Sequence, residues 1–207
     1  MDNAQTVFIV DDDEGVREGL SLLLDSIDQP RQVFASALDF LEAYDSTMGG
    51  CLVLDIRMPR MTGLDLQAKL NEQGATLPII FITGHGDIPM AVEAMRRGAL
   101  DFIRKPFREQ DLLDRINEAL DIDRGMRRQL LDRQRLAEKI SSLSDRELDV
   151  FHRVANGDMN KVIAGELGIS ERTVEVHRSQ VMKKLNVRTL AQLVRIKIES
   201  DMGHRSE

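Results

Sequence analysis

The chain has 207 residues, of which 42% are hydrophobic and 30% charged, a composition typical of a globular protein rather than a disordered or fibrous one. It holds no apolar run near the ~20 residues that span a membrane, and its start, MDNAQTV, lacks a signal-peptide pattern, so we expect a cytoplasmic protein. The single cysteine, Cys51, excludes an internal disulfide, and its neighbours Leu52, Val53 and Leu54 indicate a buried thiol in a reducing compartment.

The formal net charge of −7 is unevenly distributed along the chain. Residues 1–124 hold 12 Lys and Arg against 23 Asp and Glu, a net charge of −11. Residues 125–207 hold 16 against 12, a net charge of +4. This asymmetry favours an acidic module followed by one that tolerates a polyanion.

The first half of the chain alternates short apolar runs with amphipathic helical stretches. Because strands and helices alternate in this way in βαβ units, the pattern predicts an α/β fold with a five-stranded, doubly wound parallel sheet, closed by a helix near 109–120. We expect the strand order 2-1-3-4-5, which reverses between the first and third strands. The predicted strands are 6–10, 32–35, 51–54, 79–83 and 101–103, and two of the helical stretches between them are 16–26 and 89–99.

Residues 109–140 follow a helical pattern, with no strand signal after residue 105. Nine positions keep a 4-3 spacing, but two of them are charged and Gly125 weakens the helix. Two interpretations therefore stay open, a dimeric coiled coil and a solvated helical linker. The nine positions are Leu112, Ile116, Ala119, Asp123, Met126, Leu130, Arg133, Ala137 and Ile140.

A compact all-helical module follows the linker. The segment from Ser144 to Glu147 is a capping box that opens a new helix. Further on, Leu-Gly-Ile-Ser separates two amphipathic helices, with Gly168 at the turn and Ser170 as the N-cap of the second helix, which runs from about 171 to 185. This pattern predicts a helix-turn-helix.

Polar side chains stand where the predicted strands end. Asp11 and Asp12 follow the first strand, Asp55 follows the third, Thr83 ends the fourth and Lys105 follows the fifth. Ligands of open α/β sheets bind at this carboxyl edge, where the strand order reverses. The bland interpretation is a solvated acidic surface, but the convergence of three acids, a hydroxyl and an amine favours a binding site.

Four segments, VDDDE, LDIRMPRMTG, FITGHGD and RKPF, occur in this order, and with them the first domain resembles the receiver domain of two-component response regulators. The resemblance implies that Asp55 is the phosphoacceptor, which takes a phosphoryl group from a cognate histidine kinase. It also implies Mg²⁺ as cofactor. Asp12 and Asp55 would bind the ion directly, Asp11 would bind through water, and the backbone carbonyl of Arg57 would be a further ligand.

The resemblance gives roles to three more residues. Lys105 would pair with the phosphoryl oxygens as a point charge, and Thr83 would donate its hydroxyl to the phosphoryl group. Phe102 has the position of the family's switch aromatic, whose ring turns inward when the threonine moves. The alternative for Phe102 is a core residue on the fifth strand.

Four expectations concern the loops around this edge. Asp13 should face the start of the first helix, where a negative charge suits the helix dipole. We expect a cis peptide bond before Pro106, and an unusual backbone turn at Gly63. His85 could be a phosphorelay residue or a metal ligand, but we interpret it as a loop contact.

The helical module also resembles a known group. With LSDRELDVF, NKVIAGELGIS, TVEVH and KKLNVR, residues 141–200 resemble the four-helix DNA-binding domain of the LuxR/NarL group. Glu175 stands where many relatives have lysine, and Ser179 also replaces a basic residue of some, which brings the chain nearer to the FixJ-like branch.

The second helix of this motif has two distinct faces. Val174, His177, Val181 and Leu185 share one face and should pack inward. The resemblance places the opposite face on DNA, where an Arg can read guanine and a carboxylate can accept from cytosine. We assign base contacts to Val176, Arg178 and Ser179, with Glu175 beside them, and phosphate contacts to Lys161, Arg172, Thr173 and Lys183.

We therefore interpret residues 1–122 as a receiver domain, 123–140 as a helical linker and 141–207 as a LuxR-type helix-turn-helix domain. The chain would be a FixJ-type response regulator and not an enzyme. Its partners would be a histidine kinase, promoter DNA, RNA polymerase and, after phosphorylation, a second copy of itself. Two alternatives stay open: a phosphorylation-independent regulator with a vestigial receiver, and an enzyme that uses Asp55 in a phosphatase cycle.

Overall fold

The computed structural model describes residues 5–84 and 88–203, and the chain divides into two compact units, residues 1–127 and 128–207. His85, predicted as a loop contact, lies outside the described residues. The strands are β1 (Thr6–Val10), β2 (Arg31–Phe34), β3 (Gly50–Asp55), β4 (Ile79–Thr83) and β5 (Asp101–Arg104). The helices are α1 (Glu14–Asp25), α2 (Ala37–Ala43), α3 (Gly63–Glu72), α4 (Ile88–Arg96), α5 (Glu109–Ser141), α6 (Asp145–Asn156), α7 (Asn160–Leu167), α8 (Glu171–Lys184) and α9 (Leu190–Gly203).

The five strands form one parallel sheet in the order β2-β1-β3-β4-β5, which confirms the predicted topology. All six residues of β3 are buried, as expected for a central parallel strand covered by helices on both faces. Successive side chains alternate between two apolar clusters, so that Phe8 and Leu52 pack on one face while Ile9 and Val53 pack on the other. Cys51 is buried in the second cluster, as predicted.

The first half of α5 covers the sheet. Leu112, Ile116 and Ala119 of the predicted 4-3 pattern are buried against the core of the first unit, so these positions serve packing within the unit. Further along, Met126 and Leu130 are exposed. The question of a coiled coil is therefore confined to the part of the helix beyond residue 123.

The packing of the first unit extends to residue 127 because of one buried acid. Asp123 accepts hydrogen bonds from Gln5 Nε2 at 2.8 Å, from the backbone N–H of Gly50 at 2.9 Å and from Arg127 Nε at 2.9 Å. Arg127 in turn donates to the carbonyl oxygen of Thr47 at 2.9 Å. These bonds tie α5 to the end of the sheet opposite the acidic edge.

Helices α6 to α9 surround one apolar core in the second unit. The predicted capping box of Ser144 and Glu147 is present at the start of α6. Gly168 ends α7 in the left-handed conformation and Ser170 caps α8, which confirms the predicted helix-turn-helix. Across the described parts of both units, no helix combines the length and the apolar character needed to cross a membrane.

Candidate functional site

Strand register brings two acids of distant sequence position together. In the parallel pair of β1 and β3, Val10 is the partner of Leu54, so Asp11 and Asp55, the next residues of each chain segment, lie side by side. Both are nearly inaccessible, with exposed fractions of 1% and 7%. The sequence placed both acids at this edge, and the register explains why they meet there.

One ammonium group bridges the two carboxylates. Lys105 Nζ lies 2.7 Å from Asp11 Oδ2 and 3.0 Å from Asp55 Oδ1. Lys105 reaches this position because it directly follows β5, whose last residue, Arg104, is the register partner of Thr83 on β4. The predicted cis peptide bond between Lys105 and Pro106 is present.

The buried charges shift the ionisation of the two bridged groups. Burial raises the pKa of Asp55, and the hydrogen bond and positive charge of Lys105 oppose this rise only in part. Burial, the largest single influence, would lower the pKa of Lys105, but the hydrogen bonds to Asp11 and Asp55 and the negative charges of these two acids together raise that pKa. The lysine therefore remains a cation beside a carboxylate that burial disfavours as an anion.

Backbone N–H groups hold the same two carboxylates in place. Arg57 N donates to Asp55 Oδ2 at 2.6 Å, and Asp13 N donates to Asp11 Oδ1 at 2.9 Å. Asp13 is the N-cap of α1 and accepts from Gly15 N at 2.8 Å, which confirms the prediction that it faces the start of this helix. Asp12 is exposed.

The acidic edge offers hard oxygen donors for a cation, although the residues described here form no group of three His, Cys, Asp or Glu side chains ready to hold a metal. Asp11 and Asp55 share the Lys105 ammonium, and Asp12, which was predicted to bind the ion directly, is exposed. Each ionised carboxylate has about four acceptor positions, so the bonds to Asp55 leave some of them available. Mg²⁺ typically takes one or two carboxylates and keeps several waters, and this donor set fits that chemistry.

The predicted switch residues lie on neighbouring strands. Thr83 ends β4 and is 1% exposed, and its backbone oxygen accepts from Lys105 N at 2.6 Å. Phe102 is half-buried on β5, is the register partner of Phe81, and packs against the core cluster on that face of the sheet. Thr83 is two residues beyond Phe81 on β4, so both point to the face on which Phe102 packs.

Gly63 is needed for a reason other than the predicted one. Its φ lies outside the left-handed region, so no unusual turn requires glycine there. A Cβ at Gly63 would instead collide with the backbone oxygen of Asp55, and would also crowd the ring of Phe81. The close approach of α3 to the end of β3 thus excludes a side chain.

On α8, the face opposite the core is open. Val174, Val181 and Leu185 are buried, as predicted, and His177 is half-buried. The opposite face carries an exposed concave patch lined by residues that the sequence assigned to DNA. They are Arg172, Glu175, Val176 and Ser179.

The other predicted DNA contacts differ in their surroundings. Lys161 and Lys183 are exposed. The hydroxyl of Thr173 is 2.8 Å from that of Ser170, so Thr173 belongs to the N-cap of α8. Arg178 is half-buried, and its Nη1 donates a hydrogen bond of 3.2 Å to Oδ1 of Asn160. Asn160 is the first residue of α7.

Comparison with known proteins agrees with both halves of this geometry. Residues 7–117 match the family model described as response regulator receiver domain, and residues 141–197 match the model described as bacterial regulatory proteins, luxR family. The response regulator protein TodT of Pseudomonas putida is 48% identical over 195 residues, which cover 94% of this chain and 86% of that protein. This chain belongs to the FixJ/NarL family of response regulators.

Relatives named FixJ support the same conclusion. The transcriptional regulatory protein FixJ of Azorhizobium caulinodans is 42% identical over 95% of this chain and 93% of its own length. The solved structure of the response regulator StyR matches with a TM-score of 0.88, 49% identity and coverage of 95% of this chain and 99% of that one. Full-length FixJ from B. japonicum matches with a TM-score of 0.59, 38% identity and coverage of 96% and 98%.

The response regulator described here is a two-component transcription factor with a receiver domain and a LuxR-type DNA-binding domain. Its family is one of transcription regulators rather than a class of enzymes, and membership implies a kinase partner and DNA targets.

Two residues, Asp123 and Asn160, have roles that were not predicted from the sequence. Asp123 binds α5 to the start of β3, and Asn160 accepts a hydrogen bond from the predicted DNA contact Arg178. Asp123 is a charged residue within an apolar 4-3 pattern and is followed four residues later by Arg127, and this pattern could have indicated a buried ion pair. No sequence signal indicated the role of Asn160.

Proposed function

We propose that Asp55 of this response regulator is the phosphoacceptor, and the observation that carries the proposal is the Lys105 ammonium bridging Asp55 and Asp11. A carboxylate oxygen of Asp55 would attack the phosphorus of a kinase phosphohistidine. The new O–P bond forms as the N–P bond breaks, and the imidazole nitrogen keeps the electron pair. Lys105 is already positioned to neutralise the charge of the transferred group.

Mg²⁺ binding at this edge is part of the proposal. Asp11, Asp12, Asp55 and the carbonyl of Arg57 are the proposed ligands, and the ion would neutralise negative charge on the phosphoryl oxygens. The burial of Asp11 and Asp55 supports a role for such a cation, because two buried carboxylates share the one ammonium of Lys105.

The response to phosphorylation would pass through Thr83 and Phe102. A phosphoryl group adds negative charge and acceptor oxygens close to the Thr83 hydroxyl. If that hydroxyl turns toward the phosphoryl group, the half-buried ring of Phe102 on the same face can repack. We propose that this change drives homodimerisation, and that paired copies occupy a promoter with two half-sites.

The second unit would read that promoter with α8. Support comes from the exposed patch of Arg172, Glu175, Val176 and Ser179, which offers a cation, a carboxylate, an apolar group and a hydroxyl within one helix face. Phosphates would be held by Lys161, Arg172, Thr173 and Lys183. We further propose that the protein recruits RNA polymerase, is located in the cytoplasm and has no independent enzymatic activity. The proposed limits are 122 for the end of the receiver domain and 140 for the end of the linker.

Phosphoprotein gels test the Asp55 assignment. Wild-type protein incubated with acetyl phosphate and Mg²⁺ should carry acid-labile phosphate, and Asp55→Asn should carry none. Asp39→Asn, at an exposed acid of α2, should be labelled like the wild type. Undiminished label on Asp55→Asn would place the phosphoryl group elsewhere.

Sedimentation of the full chain tests the consequence. Acetyl phosphate and Mg²⁺ should shift wild type, but not Asp55→Asn, from monomer to dimer, and only the shifted protein should bind promoter DNA tightly. If Asp55→Asn regulates a target promoter as the wild type does, the alternative of a vestigial receiver is correct.

A further inference from the structure

Two neighbouring lysines end α8, and both are exposed, but only Lys183 lies on the helix face that carries the patch of Arg172, Val176 and Ser179. Lys183 is exposed and continues the row of Arg172, Val176 and Ser179. Successive members of this row of four residues are four, three and four positions apart. Residues at this spacing lie on one stripe of a helix. Lys184, one residue later, is rotated by about 100° from that stripe.

Lys184 is engaged within the second unit. Its Nζ donates to Glu147 Oε2 at 2.6 Å and to the carbonyl oxygen of Ser142 at 3.0 Å. Ser142 directly follows the last residue of α5, where backbone carbonyls carry partial negative charge that favours a cation. Lys184 thus joins the end of α8 to the segment that leads into α6.

The Glu147 carboxylate has two partners at one oxygen. Oε2 accepts from the backbone N–H of Ser144 at 2.7 Å in the capping box, and also from Lys184. The Glu147 side chain is only 9% exposed. The hydrogen bond from Lys184 is the first cause that lowers the pKa of Glu147, so the carboxylate stays ionised as a fixed acceptor.

We propose that Lys184 is a positioning residue of the DNA-binding surface and does not itself contact DNA. Its ammonium fixes the C-terminal turn of α8 against the first turn of α6, and so sets the angle at which the exposed stripe enters the major groove. Lys183, of identical chemistry, contacts a phosphate instead. This inference rests on the proposed reading of DNA by α8.

Salt dependence separates the two roles. A duplex is selected from a random pool with the full wild-type chain in acetyl phosphate and Mg²⁺. Under the same conditions, the affinities of the wild type and of each variant for this duplex and for a scrambled duplex are measured over a range of KCl concentrations. Each phosphate contact contributes about 0.9 to the slope of log K against log salt. Lys183→Met should reduce this slope by about 1 and weaken both duplexes alike.

Lys184→Met should leave the slope unchanged. It should lower the affinity for the selected duplex by about tenfold, the scale of one lost hydrogen bond to a charged group, and leave the scrambled duplex unaffected. Lys184→Arg should restore most of the loss. Glu147→Gln keeps an acceptor for Ser144 N but removes the charge, so it should resemble Lys184→Met, and the double variant should be no worse than either.

Far-UV circular dichroism and thermal unfolding verify that each variant is folded at the assay temperature. If Lys184→Met does not fold, Lys184→Arg and Glu147→Gln are compared with Lys183→Met in its place. A slope reduced in a Lys184 variant as in Lys183→Met would place Lys184 on a phosphate and overturn the proposal. Equal weakening of both duplexes would do the same. A wild-type chain that acetyl phosphate has converted to the dimer and that still selects no duplex would instead overturn DNA reading by α8.

Discussion

The ammonium of Lys105 lies 3.0 Å from Oδ1 of Asp55, the carboxylate that we propose as the phosphoacceptor. The same ammonium is 2.7 Å from Asp11 Oδ2, so a single cation serves two buried anions that strand register forces together. This relationship links the fold to the chemistry. The parallel sheet creates an excess of negative charge at its carboxyl edge, and Lys105 neutralises part of it before any phosphoryl group arrives.

Removal of that cation should destabilise the protein. Lys105→Met leaves Asp11 and Asp55 adjacent, buried and without their common partner, so we expect a loss of about 2 kcal/mol in the free energy of unfolding at neutral pH. Urea unfolding measures the loss. Lys69→Met, at an exposed lysine of α3, should change the free energy by no more than about 0.5 kcal/mol.

The pH dependence of this loss follows from the direction of the pKa shift of Lys105. Because its pKa is raised in the folded state, the stability it contributes is fully present below its unfolded pKa of about 10.4 and disappears as pH rises through the higher folded value. The difference between wild type and Lys105→Met should therefore persist at neutral pH and shrink in strongly alkaline solution. A difference that vanished already at neutral pH would show that the bridge contributes nothing.

The buried acid at the opposite end of the sheet should also be essential for stability. Asp123→Ala removes the acceptor of the Gly50 N–H and one of the acceptors of Gln5 Nε2 and of Arg127, and we expect a loss of about 3 kcal/mol. Asp121→Ala, two residues earlier on the exposed side of the same helix, should be nearly neutral. Equal midpoints in urea for the two variants would contradict the importance of the Asp123 bonds.

The sequence predicted the sheet order and the residues of the acidic edge because alternating apolar runs and strand-end polar residues are local signals. Asp11, Asp55 and Lys105 could be placed together as soon as the strand order was known. The bridging role of Lys105 could not be predicted. It depends on how deeply the two carboxylates are buried and on which hydrogen-bond donors the folded protein places beside them. Gly63 shows the same limit, because the close approach of α3 to Asp55 is a tertiary contact.

On the long helix α5, the pattern alone was ambiguous. Leu112, Ile116 and Ala119 have the spacing of a coiled-coil seam, and the same spacing describes one face of any amphipathic helix. Only the tertiary structure shows that these side chains pack on the sheet. In α8 the inward positions Val174, Val181 and Leu185 were predicted correctly. Arg178, however, is held by Asn160, eighteen positions earlier, which no local spacing indicates.

Cys51 provides a direct probe of opening of the sheet. Burial, together with the nearby charge of Asp123, raises the pKa of its thiol to about 12, so almost no thiolate exists at neutral pH. We expect Cys51 of the native protein to react with a disulfide reagent only as fast as the protein unfolds. In urea, Cys51 should react at once and displace one equivalent of thiol from the reagent. Rapid native labelling would show that β3 is accessible.

The contact between α7 and α8 predicts coupling between two residues at the DNA surface. Arg178 donates to Asn160 Oδ1, so its guanidinium is oriented before DNA binds. If Arg178 reads a base, Arg178→Ala should reduce discrimination between a selected and a scrambled duplex by about 1–3 kcal/mol. Asn160→Ala should reduce it less, because the guanidinium remains but loses its orientation.

The double variant of these two residues distinguishes orientation from independent contacts. With Arg178 absent, the loss of Asn160 should have little further effect, so the two changes should be non-additive by about 0.5–1.5 kcal/mol. The matched control is the pair Ser179→Ala and Asn160→Ala. The hydroxyl of Ser179 lies in the exposed patch of α8, so its effect on DNA binding should simply add to that of Asn160→Ala. Additive losses for Asn160 and Arg178 would mean that each contacts DNA by itself, and a uniform loss on both duplexes would make Arg178 a phosphate contact.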